Sequence, residues 1–323
     1  MRVFITGATG FIGSAIVRDL LAAGHQVTGL VRSARAAASL QAQGAKACHG
    51  TIEDCELLRR AGAEADGVIH TAFFHSLSQA SALRRARILF GGRPTHIVRR
   101  FSTTAIEAEQ HAIEAFGDAL GARRGSLVIA FPTMAMAPER SALETDAPDP
   151  GSVGGLRAAS EKAALDLVRS GVRATVVRLP PSVHDETRLG LITRSIDIAR
   201  KKRMSAYAGD GRNRWAAVHR LDASLLFRLA LENGEAGARY HAVAEEGIPF
   251  RDIAEAIGRH LGIHIVPLDS EDVARHFGWL APFVGADNPV SSRATRERLH
   301  WEPRHSPLMS DLAAALRNAP RSK

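Results

Sequence analysis

The feature that most constrains the fold is a glycine-rich turn, TGATGFIG, at residues 6–13. A short β-rich run precedes it at 2–6, and the segment 11–24 has the apolar spacing of an amphipathic helix. Glycines at this spacing between a strand and a helix are typical of a dinucleotide-binding turn. In such a turn the helix N-terminus directs free N–H groups and a positive dipole end at the phosphates. The sequence therefore predicts a nucleotide-binding βαβ unit.

Each glycine of the turn has its own role. Gly7 permits the tight turn, Gly10 lets the backbone approach the pyrophosphate, and Gly13 lets the helix pack on the strand. An ordinary glycine-rich βα turn is the alternative, and the complete βαβ context favours the dinucleotide. We expect the cofactor to contact Gly7, Thr9, Gly10, Phe11, Ile12 and Gly13.

Strand and helix patterns alternate through the first half of the chain. The predicted strands lie at 2–6, 26–32, 45–50, 66–73, 126–132 and 173–179. The predicted helices between them lie at 11–24, 33–44, 53–62, 103–120 and 156–170. This order, with continuously apolar strands, predicts an α/β fold: a Rossmann-type, doubly wound parallel sheet with helices on both faces.

The pattern also predicts a division of the chain. We expect the Rossmann domain to span 1–180, and a smaller α+β substrate-binding part, interleaved with it, to span 181–323. Residues 74–101 interrupt the alternation of strands and helices, because they contain arginines, two adjacent glycines and a proline. We expect them to form an insertion or lid-like loop over the site.

The end of the second strand distinguishes between two cofactors. An NAD site has an acidic residue about 20 residues beyond the glycine turn, bound to the ribose hydroxyls. Here the strand ends in Arg32, with no acid. An arginine suits a 2′-phosphate in both charge and geometry, which favours NADP(H) over NAD(H), although Arg32 could simply face solvent. Further contacts are expected from the ends of strands three and four, at Thr51, Ile52, Thr71, Ala72 and Phe73.

Five segments carry a family resemblance. They read, in order, TGATGFIG, VIHTA, VVRLPPSV, WAAVHRLDAS and YHAVAEEGIPFRDIAEAIG. With them the sequence resembles the extended or atypical branch of the short-chain dehydrogenase/reductase superfamily, the epimerase/dehydratase-like proteins. The resemblance covers 1–73 and 110–317, and places Pro180 of VVRLPPSV at the cofactor.

The resemblance implies a mechanism. In that superfamily a tyrosine and a lysine, spaced Y-x-x-x-K, share one face of the helix after strand five. The lysine and the oxidised nicotinamide lower the pKa of the tyrosine, so that it can transfer a proton while hydride passes to or from the nicotinamide. A serine or threonine at the end of strand five orients the substrate oxygen.

This chain departs from the pattern at the tyrosine. If Lys162 is the family lysine, the tyrosine position is Ala158. If Ser160 is instead aligned with the serine that often precedes the family lysine, the pair becomes Arg157 and Glu161. Arginine cannot replace the phenol as an acid, because it does not lose its proton at working pH.

The remaining catalytic candidates are few. The chain has two tyrosines, Tyr207 and Tyr240, and neither lies four residues before a lysine. Thr133 is the hydroxyl nearest the end of strand five, and Lys162 could hold the nicotinamide ribose. We therefore expect Thr133 and Lys162 to be the catalytic residues, with ordinary surface roles as the alternative for both.

Histidines offer a second source of proton transfer near neutral pH. His75 and His184 follow strands four and six, on the side where ligands bind in open α/β sheets. His219 matches a position that the resemblance makes structural. His260 and His264 are four residues apart, but a glycine interrupts the helix between them, so we expect no metal site.

Charge and cysteine content limit the partners. The net charge is +8, concentrated in the arginines of 84–100 and in RKKR at 200–203. Few aromatic residues accompany them, which favours solvated faces or contacts to a small anion over a nucleic-acid partner. Cys48 and Cys55 form neither a disulfide framework nor a C-x-x-C site, and no apolar run approaches the roughly 18–20 residues of a membrane span. We expect a cytoplasmic monomer or homodimer.

These features together predict a function. We expect an NADP(H)-binding oxidoreductase or epimerase/dehydratase acting on a small carbonyl or hydroxyl substrate. The alternative is a catalytically impaired NADP(H) sensor or partner-binding protein, and RNA binding is a third hypothesis.

Overall fold

The structure is a computed structural model that describes residues 1–74, 76–92, 96–138 and 140–318. Its strands are β1 Arg2–Thr6, β2 Gln26–Val31, β3 Lys46–His49, β4 Gly67–His70, β5 Ser126–Pro132, β6 Arg173–Leu179, β7 Ser182–Asp185, β8 Arg188–Leu189, β9 Met204–Ala208, β10 Arg214–His219, β11 Arg239–His241, β12 Glu245–Pro249 and β13 His264–Leu268. Its helices are α1 Gly13–Ala22, α2 Ala34–Gln41, α3 Cys55–Glu64, α4 Ala82–Phe90, α5 Ile97–Gly121, α6 Ala158–Asp166, α7 Ile192–Lys202, α8 Arg220–Asn233, α9 Phe250–Leu261, α10 Ser270–Phe277, α11 Ala281–Val284, α12 Arg293–Leu299 and α13 Leu308–Asn318.

The chain forms two compact units that interleave along the sequence. The first unit consists of Met1–Phe131, Leu156–Val177 and Ser224–Ala238, and the second unit consists of the remaining residues. This grouping differs from a division at residue 180 in three segments, of which 178–180, at the end of β6, is the shortest. Residues 132–155 belong to the second unit, and the greater part of α8 belongs to the first.

The central sheet has seven strands in the order β11–β6–β5–β4–β1–β2–β3. The pairs of β1 with β2 and β4, of β2 with β3, and of β4 with β5 are all parallel. The predicted α/β fold with a parallel central sheet is confirmed. Its order reverses between β1 and β4, and in open α/β sheets the ligand crevice lies outside the carboxyl ends of the strands at such a point.

Apolar packing on both faces of the sheet holds the glycine turn in place. Ile5 of β1 and Ile69 of β4 are fully buried, as are Ile16 and Leu20 of α1. The apolar spacing along α1 therefore places one face of that helix on the sheet and leaves its N-terminus at the carboxyl edge.

Residues 74–101 differ from the predicted loop. Where the structure describes them they are largely helical, with α4 at 82–90 and α5 beginning at 97 rather than near 103. Ile88 is buried, and its carbonyl oxygen accepts a hydrogen bond from Arg100 Nε at 2.8 Å. Alanine, leucine and arginine are strong helix formers, and this propensity outweighs the neighbouring glycines. His75 and the proline at 94 lie outside the described residues.

The second unit contains a mixed sheet in the order β12–β10–β7–β8 and a parallel β9–β13 pair. Trp215 of β10 and Phe250 of α9 are buried with their ring centroids 4.8 Å apart. Leu308 and Leu312 bring α13 into the same core. Within the described ranges, no helix is sufficiently long and apolar to cross a membrane.

Gly13→Ala should destabilise the first unit. The added Cβ would fall well inside van der Waals contact of the Gly7 carbonyl oxygen, and backbone atoms cannot rotate away. We expect a loss of about 1–3 kcal/mol or more in the free energy of unfolding, measured by thermal melting. Gly285→Ala is the matched control, because its Cβ would lie 3.7 Å from the nearest atom. Equal melting temperatures for the two variants would contradict this packing.

Candidate functional site

The glycine turn closes tightly against the residues that follow β4. Gly7 has a φ of +73°, and its carbonyl oxygen accepts a hydrogen bond from Gly10 N at 2.9 Å. A Cβ at Gly7 would lie 2.5 Å from Thr71 Oγ1, so only glycine fits between the turn and that hydroxyl. Thr9 and Gly10 are exposed on the outer side of the turn.

The outer side of the turn leads into the start of α1. Within the described chain, no side chain caps the first turn of this helix. A Cβ at Gly10 would come within 4 Å only of Gly7 O, at 3.1 Å. An uncapped helix start directs N–H groups at whatever approaches this open side, and a pyrophosphate suits them in charge and geometry. The turn therefore fits the phosphates of a dinucleotide.

A hydrogen-bond network joins the ends of β1 and β4 beside the turn. Thr6 Oγ1 lies 2.8 Å from His70 Nδ1 and accepts a hydrogen bond from Ala72 N at 3.2 Å. Thr71 Oγ1 donates to Thr6 O at 2.8 Å. The network fixes Thr71 and Ala72, which the sequence predicts to be cofactor contacts, next to the glycine turn. Phe73 follows them and is half-buried.

His70 is an uncharged member of this network. Its side chain is buried, and its Nε2 has no hydrogen-bond partner among the described residues. Burial lowers the pKa of His70 from 6.5 to about 4; the Arg157 cation lowers the pKa further, while the Glu109 carboxylate opposes the shift. His70 is therefore neutral near physiological pH and contributes no positive charge to the carboxyl edge of the sheet.

The end of β2 is cationic and open. Arg32 is exposed, and Ser33 caps α2 by accepting a hydrogen bond from Ala36 N at 3.2 Å. Arg35, on the first turn of α2, is also exposed. Within the described ranges no acidic side chain pairs with Arg32 or Arg35. Sequence reasoning missed Arg35, although its position three residues after Arg32 could have indicated it.

The loop after β3 places the two predicted contacts differently. Ile52 is buried with 4% of its surface exposed, whereas Thr51 is half-buried. Thr51 Oγ1 accepts a hydrogen bond from Glu53 N at 3.2 Å, and Glu53 pairs with Arg84 at 2.7 Å. The loop is thereby tied to the helical segment that contains α4. Cofactor contact by Thr51 and Ile52 stays a prediction.

Helix α6 turns Lys162 outward. The Lys162 side chain is 75% exposed and pairs with Asp166 one turn along the helix. Ser160 and Glu161 are buried, and α6 packs against α5. Of the two alignments that the sequence left open, the structure therefore directs Arg157 and Glu161 inward. A cofactor contact by Lys162 stays a prediction, and its outward position gives it no support.

Arg157, at the start of α6, is the charged side chain that the structure brings to the carboxyl edge. Its Nε donates to Glu109 Oε2 at 3.1 Å, and its Nη2 donates to Glu109 Oε1 and to Ala130 O. Its guanidinium carbon lies 4.5 Å from the centre of the Phe73 ring and 5.7 Å from that of Phe131. Two aromatic rings and a buried carboxylate thus hold one guanidinium in a single orientation.

Two predicted residues lie in the second unit. Thr133 is fully buried; its Oγ1 donates to Asn288 Oδ1 at 2.7 Å, and its carbonyl oxygen accepts from Asn288 Nδ2 at 2.9 Å. Its only hydroxyl proton is therefore engaged with an amide. Pro180 is buried directly after β6. A catalytic role for Thr133 and a cofactor contact by Pro180 stay predictions.

The second unit also contains a histidine cluster that the sequence did not reveal. His184, predicted as a substrate contact, is fully buried and its Nδ1 lies 2.8 Å from Asp311 Oδ2. The rings of His219 and His305 stack at 4.7 Å, and His305 Nδ1 lies 2.7 Å from Asp222 Oδ1.

The spacing of this cluster would suit a metal ion, but its hydrogen bonds do not. Ligand atoms of His219, Asp222 and His305 all lie within 4.8 Å of one another. However, His219 Nδ1 accepts a hydrogen bond from Leu221 N at 3.3 Å, which places the proton of the neutral ring on Nε2. That nitrogen then has no lone pair for a metal. The cluster is better explained as packing and hydrogen bonding within the second unit.

Comparisons with known proteins identify the family. Residues 3–90 match the profile of the NAD dependent epimerase/dehydratase family. An uncharacterized protein of Schizosaccharomyces pombe is 43% identical over 314 residues, which cover 97% of this chain and 99% of the relative. An uncharacterized protein of Saccharomyces cerevisiae is 39% identical over 316 residues, covering 97% and 98%. The chain belongs to the NAD dependent epimerase/dehydratase family.

A solved dehydratase has a similar fold. The dTDP-glucose 4,6-dehydratase of Streptomyces venezuelae, with NAD bound, superposes with a TM-score of 0.71 at 22% identity, covering 98% of this chain and 96% of the dehydratase. The family resemblance predicted from the sequence is confirmed. Cofactor binding by the three glycines of the turn stays a prediction.

The buried His70 predicts a pH-dependent stability. The unfolded histidine takes up its proton near pH 6.5, whereas the folded one does so only near pH 4. Stability is therefore fully present above about pH 6.5 and falls as the pH drops towards 4, by up to about 3 kcal/mol from this group. His70→Asn should lose this part of the pH dependence, measured by urea unfolding across that range. His241, which is also buried, is present in both the variant and the wild type, so its contribution cancels in the comparison. If His70→Asn lost as much stability between high and low pH as the wild type does, the assignment to His70 would be contradicted.

Gly10→Val should weaken cofactor binding without unfolding the protein. The side chain would enter the open side of the turn and separate backbone N–H groups from the pyrophosphate. Hydrogen bonds to charged groups contribute about 1.5–3 kcal/mol, so NADPH affinity should fall about ten- to a hundredfold in calorimetric titration. Gly285→Val, at a site with comparable space, should bind as the wild type does. An unchanged affinity in folded Gly10→Val would remove the turn from the cofactor site.

Proposed function

We propose that the protein is an NADP(H)-dependent oxidoreductase that acts on a small carbonyl or hydroxyl substrate. The observation that carries the proposal is the open glycine turn at the β1–β4 crevice, with the cationic end of β2 beside it in the sheet order. The family supports a nicotinamide cofactor, and Arg32 supports the phosphorylated form. When bound, this cofactor supplies or accepts a hydride.

Each part of the cofactor has candidate partners in the first unit. The N–H groups of the turn and of the start of α1 would hold the pyrophosphate. The exposed guanidinium of Arg32 and the hydroxyl of Ser33 would hold the 2′-phosphate, with Arg35 on the next turn of helix. Thr71, Ala72 and Phe73 would lie along the nicotinamide half, because they continue from the carboxyl end of β4 at the crevice.

A second candidate function follows from the missing tyrosine. Neither Ala158 nor Arg157 can supply a phenol proton, and proton transfer by a positioned side chain typically contributes about 10²–10⁴-fold. A protein that binds NADP(H) without turnover, as a sensor or partner-binding protein, would have these features. Turnover therefore separates the two functions, whereas cofactor binding is common to both.

Cofactor choice and turnover are tested in one experiment. We expect NADPH to bind more tightly than NADH in calorimetry, and NADPH to be consumed in the presence of neutral aldehydes or ketones. Arg32→Ala should weaken NADPH binding about ten- to a hundredfold and leave NADH binding nearly unchanged, because a charge-assisted bidentate contact is lost.

The control is Arg293→Ala, which removes an equal charge from an exposed ion pair with Glu297. Equal losses of NADPH and NADH affinity in Arg32→Ala, or tighter NADH binding by the wild type, would refute the choice of cofactor. NADPH binding without turnover of any carbonyl compound would instead support the sensor.

A further inference from the structure

One amino group of the Arg157 guanidinium, Nη1, makes no hydrogen bond to a described residue. Its Nε and Nη2 are engaged by the Glu109 carboxylate and by Ala130 O, the latter at 2.8 Å. Among the described residues none accepts a hydrogen bond from Nη1, and the side chain remains 18% exposed. The guanidinium is therefore held at one end, and the N–H groups of Nη1 remain free to donate to a ligand.

The free amino group lies at the edge where ligands bind. Phe73, whose ring lies below the guanidinium, is three residues beyond the end of β4, and Phe131 is the second-last residue of β5. Both are at the carboxyl ends of strands next to the β1–β4 crevice. The rings and the bidentate carboxylate remove the rotational freedom that an exposed arginine would have. A donor fixed in this way need not reorganise when a ligand arrives.

The charge around Arg157 limits the kind of ligand. The Glu109 side chain is 2% exposed, so its carboxylate pairs with the guanidinium out of reach of water and cancels its charge. His70 is neutral. A permanent anion such as a carboxylate would meet no net positive charge here, whereas a neutral carbonyl oxygen needs only a hydrogen-bond donor.

We propose that Arg157 Nη1 donates a hydrogen bond to the oxygen of a neutral aldehyde or ketone, at the position where the superfamily has its tyrosine; this rests on the proposed function. The carbonyl carbon accepts a hydride from the reduced nicotinamide, and the electrons of the C=O π bond become a lone pair on the oxygen. Arg157 stabilises that developing negative charge and keeps its own proton. Solvent water supplies the proton that completes the alcohol, leaving hydroxide and the oxidised cofactor.

Two small probes of the same shape test the charge selectivity. Benzamide is a neutral carbonyl compound that is not reduced, and benzoate is its anionic counterpart. Each is titrated calorimetrically into the protein, with and without saturating NADPH. We expect the wild type to bind benzamide more tightly than benzoate. Arg157→Met should lower benzamide affinity about tenfold or more, as for the loss of a hydrogen bond from a charged group, with NADPH affinity unchanged.

Variants of Glu109 distinguish binding from a structural role. Glu109→Gln leaves the guanidinium in place but uncompensated, so benzoate should gain affinity relative to benzamide. Arg157→Met alone leaves a buried carboxylate unpaired, which is strongly destabilising. The double variant Glu109→Gln/Arg157→Met removes both charges and should fold, while still lacking benzamide binding. For benzaldehyde, which is reducible, both Arg157 variants should lose about 10²–10³-fold in kcat.

The outcomes separate this inference from the proposed function. Failure of the wild type to bind NADPH would overturn the proposed function. The benzamide titration without NADPH would still test whether Arg157 binds a neutral carbonyl oxygen. Intact NADPH binding with unchanged benzamide affinity in the folded double variant would overturn the role of Arg157. A wild type that prefers benzoate, or that shows no saturable benzamide binding, would also overturn it.

Discussion

The contact between the glycine turn and the ends of β1 and β4 is the constraint on which the candidate site depends. The turn can lie beside Thr71 because Gly7 has no Cβ, and α1 can begin where it does because Gly13 has none. Thr6 then ties β1 to β4 through His70 and the backbone after it. The candidate cofactor site thus depends on close backbone packing around the glycine turn.

A second constraint is the buried pair of Arg157 and Glu109. Taking both charges out of water is expensive, and an apolar pair of the same size is often as stable. The pair is therefore weak evidence for stability. Its geometric effect is clearer, because a bidentate carboxylate and two aromatic rings define where the remaining donor points. A side chain that does not lose its proton can still donate a hydrogen bond from a fixed position.

Much of the fold could be predicted from the sequence, and the reasons are local. The inner strands β1, β4 and β5 are continuous, largely apolar runs, and the glycine turn has a spacing that few other structures require. The segment around α4 is helical where its glycines predict a loop, because the helix propensity of ALRRARILF outweighs them. In α6 the sequence allows either Lys162 or Glu161 at the lysine position. One residue is about a hundred degrees around a helix, and only packing against α5 decides which of the two faces inward.

The histidine cluster of the second unit shows a different limit. His184 and Asp311 are 127 residues apart in sequence, and His305 reaches Asp222 across 83. No local pattern links such partners. Similarly, Thr133 was predicted from its position after β5, whereas its hydroxyl is engaged by Asn288, a residue that no motif connects with it. Local spacing thus indicates strands and turns, but the partners of a polar side chain depend on the completed fold.

The return of the chain to the first unit at 224–238 has a consequence for folding. Arg173 of β6 donates to the carbonyl oxygens of Leu231 and Gly234, and Arg228 pairs with Asp19 of α1 at 2.8 Å. A nascent chain that has just passed residue 180 already contains the glycine turn and six strands of the sheet. It still lacks α8, whose Leu231 packs beside Gly67. The apolar surface at Gly67 would therefore stay open to water or to another chain until the ribosome has added about fifty more residues. The glycine turn and its neighbouring strands are therefore continuous in sequence, whereas the unit into which they fold needs a segment that is synthesised later.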